Sequence, residues 1–94
     1  MTDRQVMLIT GSRKGIGRYL AEYYAGKGYI VEGCSRGDAQ WEAENYTHHN
    51  VDVANEAQVK QMITSIARRH GRLDIVLNNA AIATMNHVLL LSLI

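Results

Sequence analysis

Three glycines stand where an apolar run gives way to a helical pattern, and their spacing could bind a phosphate group. They are Gly11, Gly15 and Gly17. The preceding run, Val6–Ile9, is typical of a strand buried on both faces. Free N–H groups and the positive dipole end of the following helix attract an anion, and the missing Cβ atoms allow it to come close. An ordinary tight turn would account for one or two of these glycines, but not for three in this setting.

The spacing of the glycines distinguishes between the common phosphate-binding loops. The usual dinucleotide fingerprint is Gly-x-Gly-x-x-Gly, and the loop of nucleotide triphosphatases is Gly-x-x-x-x-Gly-Lys. Neither fits. Thr10–Gly17 instead resembles the Thr-Gly-x-x-x-Gly-x-Gly motif of the short-chain dehydrogenase/reductase family. Asp52-Val53 stands in the place of the family's adenine-contacting acid, and Asn78–Ala81 is similar to Asn-Asn-Ala-Gly, with Ala81 replacing the last glycine.

The resemblance implies a site for a nicotinamide dinucleotide and a small carbonyl or alcohol substrate in the full-length enzyme. Gly15 and Gly17 would let the pyrophosphate approach, and the Ile16 N–H would contact it. Asp52 would accept a hydrogen bond from adenine, although it could also simply help to begin the next helix. The implied cofactor-binding residues are Gly11, Ser12, Arg13, Lys14, Gly15, Ile16, Gly17, Arg36, Asp52, Val53, Asn79, Ala80 and Ala81.

The end of the second predicted strand bears on the choice of cofactor. NAD-binding folds usually place an acid there to hold the ribose 2′-OH, whereas this chain has Ser35 and Arg36. Arg36 can donate charge-assisted hydrogen bonds to a 2′-phosphate, and Arg13 and Lys14 add positive charge nearby. Asp38 is the acid that could reverse this preference. The sequence therefore favours NADP(H) over NAD(H).

By the same resemblance, Asn79, Ala80 and Ala81 would border the ribose on the nicotinamide side. Asn79 could also tie adjoining strands together. The alternative for Asn78-Asn79 is an ordinary turn.

One local pattern imitates the family's catalytic motif. Tyr23–Lys27 satisfies Tyr-x-x-x-Lys, but Tyr23 is eight residues past Gly15 and therefore about 12 Å along a helix that leads away from the phosphate. Its position on the apolar stripe of that helix predicts core packing instead. We predict no catalytic residue in this chain, because the family's catalytic serine, tyrosine and lysine follow a later strand. The 94 residues alone are expected to be inactive.

The elements that must position these residues alternate along the chain, which indicates a parallel sheet with crossover helices. Right-handed crossovers and the resemblance imply strand order 3-2-1-4. The fold class is therefore α/β, a Rossmann-like doubly wound parallel sheet truncated after about four strands, with residues 1–94 forming a partial domain. Strands are predicted at 5–10, 29–35, 46–51 and 73–78, and helices from about 15 to Gly26 or Gly28 and from Asn55 to Gly71. Residues 37–41 begin a polar loop with room for a helical turn.

Helix patterns predict what each helix buries and how it ends. Ile16, Leu20, Tyr23 and Tyr24 form one apolar stripe on the first helix. Val59, Met62, Ile63 and Ile66 form the corresponding face of the second. Asn55 can cap that helix, with Gln58 returning a reciprocal contact. Arg68, Arg69 and His70 gather at its end, where helix termination explains them more simply than an anion-binding patch.

Composition restricts the classes of protein to which the chain could belong. A net charge of +1 gives no general attraction to nucleic acid or an anionic membrane, and we expect neither as a partner. The single cysteine, Cys34, fits a reducing compartment and a cytoplasmic location. His48 and His49 face opposite sides of a strand, so no metal site is predicted. An uncovered edge on the fourth strand would favour a homo-oligomer, and the alternative function is a self-associating, non-catalytic dinucleotide-binding module or inert remnant.

Overall fold

A computed structural model describes residues 2–80, which form a parallel sheet with one helix on each face. The strand order is β3-β2-β1-β4, as predicted for a Rossmann-like α/β fold. Within these residues no helix is both long enough and apolar enough to cross a membrane. The elements are β1 Val6–Thr10, α1 Gly15–Gly26, β2 Ile30–Ser35, β3 Tyr46–Asn50, α2 Glu56–His70 and β4 Ile75–Leu77.

Strand alternation divides the core between the two helices. Val6 and Leu8 of β1 point towards α2 and pack with Val59, Met62 and Ile66. Met7 and Ile9 point the other way and pack with a second group, which contains Ala21, Ala25, Val31 and Trp41. All five residues of β1 are buried, as expected for a central parallel strand covered on both faces.

The first helix contacts the sheet through small residues, and the predicted apolar stripe is wrong at two of its positions. Ile16 is 71% exposed and Tyr23 is 46% exposed. Gly17, Ala21 and Ala25 are the buried residues of α1. The physical reason is that α1 lies too close to the glycine loop for larger side chains to fit between them. A Cβ on Gly17 would overlap the Gly11 carbonyl and lie 2.6 Å from Asn79 Nδ2.

The second helix begins and ends almost as predicted. Asn55 Oδ1 accepts a hydrogen bond from the Gln58 N–H at 3.0 Å. The reciprocal contact differs from the prediction, because Gln58 Oε1 accepts from the Asp52 N–H instead of from Asn55. Gly71 adopts a left-handed conformation, with φ of 75°, and its N–H bonds the Ala67 carbonyl.

Two further segments differ from the sequence prediction. Residues 37–41 contain no helical turn, and the buried Trp41 covers this part of the sheet instead. The fourth strand spans only Ile75–Leu77. Just before it, Asp74 bonds the backbone of Val6 through its carboxylate as well as through its own N–H. That side-chain contact replaces one ladder position at the start of the strand.

Candidate functional site

A cleft of about 500 Å³ lies at the carboxyl ends of β1 and β2, beside the segment that follows β4. This is the edge of a doubly wound sheet at which ligands bind. Of the residues predicted to bind a cofactor, seven line it: Gly11, Arg13, Lys14, Arg36, Asp52, Val53 and Ala80. Ser12, Gly15, Ile16, Gly17 and Asn79 do not line it, and Ala81 lies outside the described residues.

Hydrogen bonds between distant parts of the chain hold β1 against the segment after β4. Thr10 Oγ1 donates to Asn78 Oδ1 at 3.1 Å and accepts from the Ala80 N–H at 3.0 Å. Asn79 Nδ2 donates to the Gly11 carbonyl at 3.3 Å, which confirms the prediction that Asn79 ties adjoining strands. The glycine motif by itself does not predict these two hydrogen bonds of Thr10, its first residue.

The glycine loop, Gly11–Gly17, is shaped by close approach at one end and open space at the other. Gly11 has φ of 70°, and its N–H bonds the Cys34 carbonyl at 2.8 Å. Gly15 has φ of 62°, and a Cβ built there would meet no atom within 4 Å. Gly17 allows the helix to pack against the loop, as described above. The open side of Gly15 leaves the start of α1 accessible to a ligand.

Three cationic side chains line the cleft. Arg13, Lys14 and Arg36 are exposed cleft residues. The Arg13 guanidinium lies over Gly37, where a Cβ would come within 2.7 Å of Nη1. Asp38, the acid that could have reversed the cofactor preference, bonds Asn50 and lines a separate groove.

Asp52 also lines the cleft and lies at the entry to α2. Its Oδ1 accepts from the Ala54 N–H at 2.9 Å, and its carbonyl accepts from the Asn55 N–H at 2.8 Å. Asp52 therefore helps to begin α2, which is the simpler of its two predicted roles. Its expected contact with adenine is compatible with this geometry, because Asp52 also lines the cleft.

Ser12 is fully buried, and its hydroxyl is turned away from the cleft. Its Oγ lies 2.6 Å from Tyr46 Oη, and Tyr46 Oη lies 2.7 Å from His48 Nδ1. No local pattern connects Ser12 with Tyr46, because the two residues are 34 positions apart along the chain. Ser12 therefore serves the shape of the loop through its side chain.

A buried charge cluster occupies the opposite face of β2, around Glu32. This carboxylate is 1% exposed and accepts from His49, Arg69 and His70 at distances between 2.5 and 3.4 Å. Burial by itself raises the pKa of Glu32, but the hydrogen bonds from the three partners outweigh it and lower the pKa to about 2. Arg69 and His70 thus have an anionic partner that their position at a helix end did not predict.

Two other predicted features lie away from the cleft. Tyr23 and Lys27, the pair that imitates the catalytic motif, contact each other with Lys27 Nζ 5.4 Å from the Tyr23 ring centroid. Neither residue lines the cleft. Between residues 2 and 80, no three His, Cys, Asp or Glu side chains are placed to hold a metal ion.

The parallel sheet, its strand order and the glycine loop at its carboxyl edge define a dinucleotide-binding α/β fold. Residues 5–93 match the family described as short chain dehydrogenase. The chain belongs to the short-chain dehydrogenase family.

Similar proteins include enzymes of this family that act on different substrates. The chain is 36% identical over 90 residues to the NADPH-dependent pterin aldehyde reductase of Arabidopsis thaliana, covering 87% of this chain and 37% of that protein. The ligand-free aldohexose dehydrogenase of Thermoplasma acidophilum superimposes with a TM-score of 0.78 at 38% identity, covering 84% and 30% of the two chains. ElxO with NADP bound gives a TM-score of 0.74 at 34% identity, covering 85% and 36%. The chain thus spans about a third of each relative's length.

Proposed function

We propose that this chain is the NADP(H)-binding portion of an oxidoreductase that interconverts a carbonyl and an alcohol by hydride transfer. The observation that carries the proposal is the convergence of Arg13, Lys14 and Arg36 on one cleft at the sheet's carboxyl edge. When bound, the cofactor supplies the hydride donor or acceptor. The residues of this chain supply its binding and orientation.

The chemistry of the cleft fits the phosphates of NADP(H). Arg36 would hold the 2′-phosphate with charge-assisted hydrogen bonds, supported by Arg13 and Lys14. The open side of Gly15 would admit the diphosphate to the N-terminus of α1. Asp38 is held by Asn50 in another groove, so it does not oppose a 2′-phosphate here. The NADPH-dependent relative and the NADP-bound structural neighbour also support this cofactor.

Trp41 offers a direct measurement of cofactor binding. It is the only tryptophan, and its Nε1–H donates to the Arg13 carbonyl of the glycine loop at 3.1 Å. Titration of Trp41 emission is expected to give about ten- to hundredfold tighter binding of NADPH than of NADH. Arg36→Ala should reduce this preference about tenfold, because the variant lacks the main 2′-phosphate donor.

Arg68→Ala provides the matched control, since Arg68 is an exposed arginine of α2 outside the cleft. It should leave both affinities unchanged. Unaltered discrimination in Arg36→Ala would refute the assignment of Arg36. Equal binding of the two cofactors by the wild type would refute the NADP(H) preference itself.

The proposal assigns cofactor binding, not turnover, to the 94 residues. The family's catalytic serine, tyrosine and lysine are expected after a strand that follows β4. Purified protein of verified mass should therefore oxidise NADPH no faster than a blank, with an aldehyde or ketone supplied. Turnover above the blank would contradict this division of roles.

Self-association of a non-catalytic module is the second candidate function, and one feature of the sheet favours it. In the part of the chain that the structure describes, β4 pairs with β1 alone, which leaves its other side available to another strand. Light scattering at high concentration should then detect a dimer or larger species, and a monodisperse monomer would exclude it.

The buried free thiol of Cys34 is compatible with the proposed cytoplasmic location.

A further inference from the structure

A chain of hydrogen bonds lies on the α1 face of the sheet. It begins at Ser12 in the glycine loop, passes through Tyr46 and His48 of β3, and ends at Gly37 in the loop after β2. It runs from Ser12 Oγ to Tyr46 Oη at 2.6 Å and from Tyr46 Oη to His48 Nδ1 at 2.7 Å. His48 Nε2 continues it to the Gly37 carbonyl at 3.0 Å and lies 2.9 Å from Ser35 Oγ. These hydrogen bonds therefore connect the two segments that carry the cations of the cleft, namely the glycine loop and the loop after β2.

Gly33 provides the space through which this chain passes. A Cβ at Gly33 would overlap both Ser12 Oγ and Tyr46 Oη, and it would lie 2.7 Å from Tyr46 Cζ. Any other residue at this position would push the serine and the phenol apart. The absence of a side chain in the middle of β2 is thus required by the hydrogen bond between Ser12 and Tyr46.

The acceptors fix the direction of the chain. The Gly37 carbonyl can only accept, so His48 Nε2 carries the ring proton in the neutral imidazole. His48 Nδ1 then accepts from Tyr46 O–H, and Tyr46 Oη accepts from Ser12 O–H. Burial raises the pKa of Tyr46 to about 12, which keeps the phenol protonated and able to donate. Aligned donors of this kind reinforce one another.

A second contact between the same two segments runs parallel to this chain. The Arg13 guanidinium lies over Gly37, and Trp41 Nε1–H donates to the Arg13 carbonyl. The Trp41 and Tyr46 rings are themselves in contact, with centroids 4.2 Å apart. The spacing between the glycine loop and the loop after β2 is therefore determined by Trp41 and Tyr46, which lie outside the cleft, together with the Arg13 guanidinium within it.

We propose that Tyr46 and His48 are positioning residues that determine how tightly the cleft binds NADP(H). Tyr46 holds the glycine loop through Ser12. His48 holds the loop after β2, which carries Arg36, through the Gly37 carbonyl. This inference rests on the proposed function, since it assigns these residues to the binding of that cofactor. In this proposal the backbone amides of the glycine loop serve either dinucleotide, whereas Arg36 is the main donor to the 2′-phosphate.

Three variants separate the two connections. Tyr46→Phe keeps the ring but removes the hydroxyl, and it should weaken NADPH and NADH binding by similar factors of about three to ten. His48→Asn places an amide near the Nδ1 position and loses the contact with Gly37. It should lower the preference for NADPH about three- to tenfold. His48→Gln can retain a donor near the Nε2 position and should restore most of that preference.

Thr47→Ala is the control, because Thr47 is an exposed residue of β3 between the two positioning residues. It should bind both cofactors as the wild type does. Equal loss of preference in His48→Asn and His48→Gln would reduce His48 to a packing role and overturn its assignment. Unchanged affinities in a folded Tyr46→Phe would overturn the assignment of Tyr46.

A measurement on the free protein distinguishes failure of this inference from failure of the proposed function. Nitrogen NMR of the His48 ring should show a protonated Nε2 and an unprotonated Nδ1. Tyr46→Phe should shift mainly the Gly11 amide signal, and His48→Asn should shift mainly the Gly37 amide signal. A wild type that binds neither cofactor would refute the proposed function, and the cofactor role of Tyr46 and His48 with it. An Nδ1-protonated ring, or Gly11 and Gly37 amide signals that do not move in these variants, would overturn the connection itself.

Discussion

Adjacent residues of β2 support two different kinds of polar network on the two faces of the sheet. Towards α2, Glu32 gathers His49, Arg69 and His70 into a charged cluster. Towards α1, Gly33 makes room for an uncharged chain of hydroxyl, phenol and imidazole groups. One strand therefore contributes to stability through one face and to the geometry of the cleft through the other.

The two networks differ in how they respond to their surroundings. A buried carboxylate is favourable only while it is charged and its partners remain in place. Protonation removes that charge, so the stability contributed by the Glu32 cluster depends on pH. Neutral hydrogen bonds cost less to bury and are individually weaker. We therefore expect changes on the Glu32 face to alter stability, and changes on the Gly33 face to alter the position of the loops.

The largest effect is expected from Glu32→Gln, which removes the charge without changing the shape. A folded pKa of about 2 against an ordinary value of 4.5 corresponds to about 3 kcal/mol of stability at neutral pH. Urea unfolding at pH 7, followed by circular dichroism, should show a loss of this size. A much smaller loss would mean that the two faces of β2 do not differ as described.

The same variant has a pH signature. Because the folded pKa of Glu32 is depressed, its contribution is complete above about pH 4.5 and is lost as the pH falls towards 2. Wild-type stability should decline across this window, whereas Glu32→Gln should decline less. Parallel curves for the two proteins would show that other carboxyl groups govern the acid transition.

Gly17→Ala is expected to have the next largest effect, and it tests whether the α1 face is limited by space. The added Cβ would overlap the Gly11 carbonyl, so the loop and the helix must separate, at a cost of about 1 to 3 kcal/mol. Gly26→Ala in the same helix is the control, because its Cβ would meet nothing within 4 Å. That control should be neutral or slightly stabilising. Equal melting temperatures for the two variants would remove the steric argument.

Arg69→Gln should have a smaller effect than loss of the carboxylate it contacts. Arg69 is 41% exposed and water can replace part of its contact, so we expect a loss of about 1 kcal/mol. In a double-mutant cycle with Glu32→Gln the losses should not add, because both variants break the same contact. Full additivity in urea unfolding would show that Arg69 acts independently of Glu32.

The smallest effect belongs to an exposed ion pair that calibrates the buried one. Arg18 Nε lies 2.7 Å from Glu22 Oε1, and both side chains are about half exposed. Glu22→Gln should cost less than about 0.5 kcal/mol, and 1 M salt should remove the difference from the wild type. A cost near that of Glu32→Gln would deny that burial separates the two pairs.

The sequence was sufficient to predict the order of elements because those patterns are local. Apolar runs, the cap at Asn55 and the stop at Gly71 act within a few residues of each other, and the glycine spacing identified the family. The helix stripe failed because periodicity alone does not show how closely α1 approaches the sheet. Gly17 determines that approach, and it leaves Ile16 exposed.

The networks around β2 could not be predicted for a different reason. Glu32 meets His70 across 38 positions, and Ser12 meets Tyr46 across 34. Neither pair leaves a periodic or local signal in one sequence. Once the strand order is known, alternation places Glu32 and His49 on one face and Gly33 and His48 on the other.

The hydrogen bonds between β1 and the segment around β4 have a consequence for biosynthesis. Val6 with Asp74, Thr10 with Asn78 and Gly11 with Asn79 each join residues 68 positions apart. We expect contacts that close so long a loop to form late in folding, because much of the chain must first lose its freedom. A nascent polypeptide is therefore expected not to bind a nucleotide until Ala80 has emerged from the ribosome.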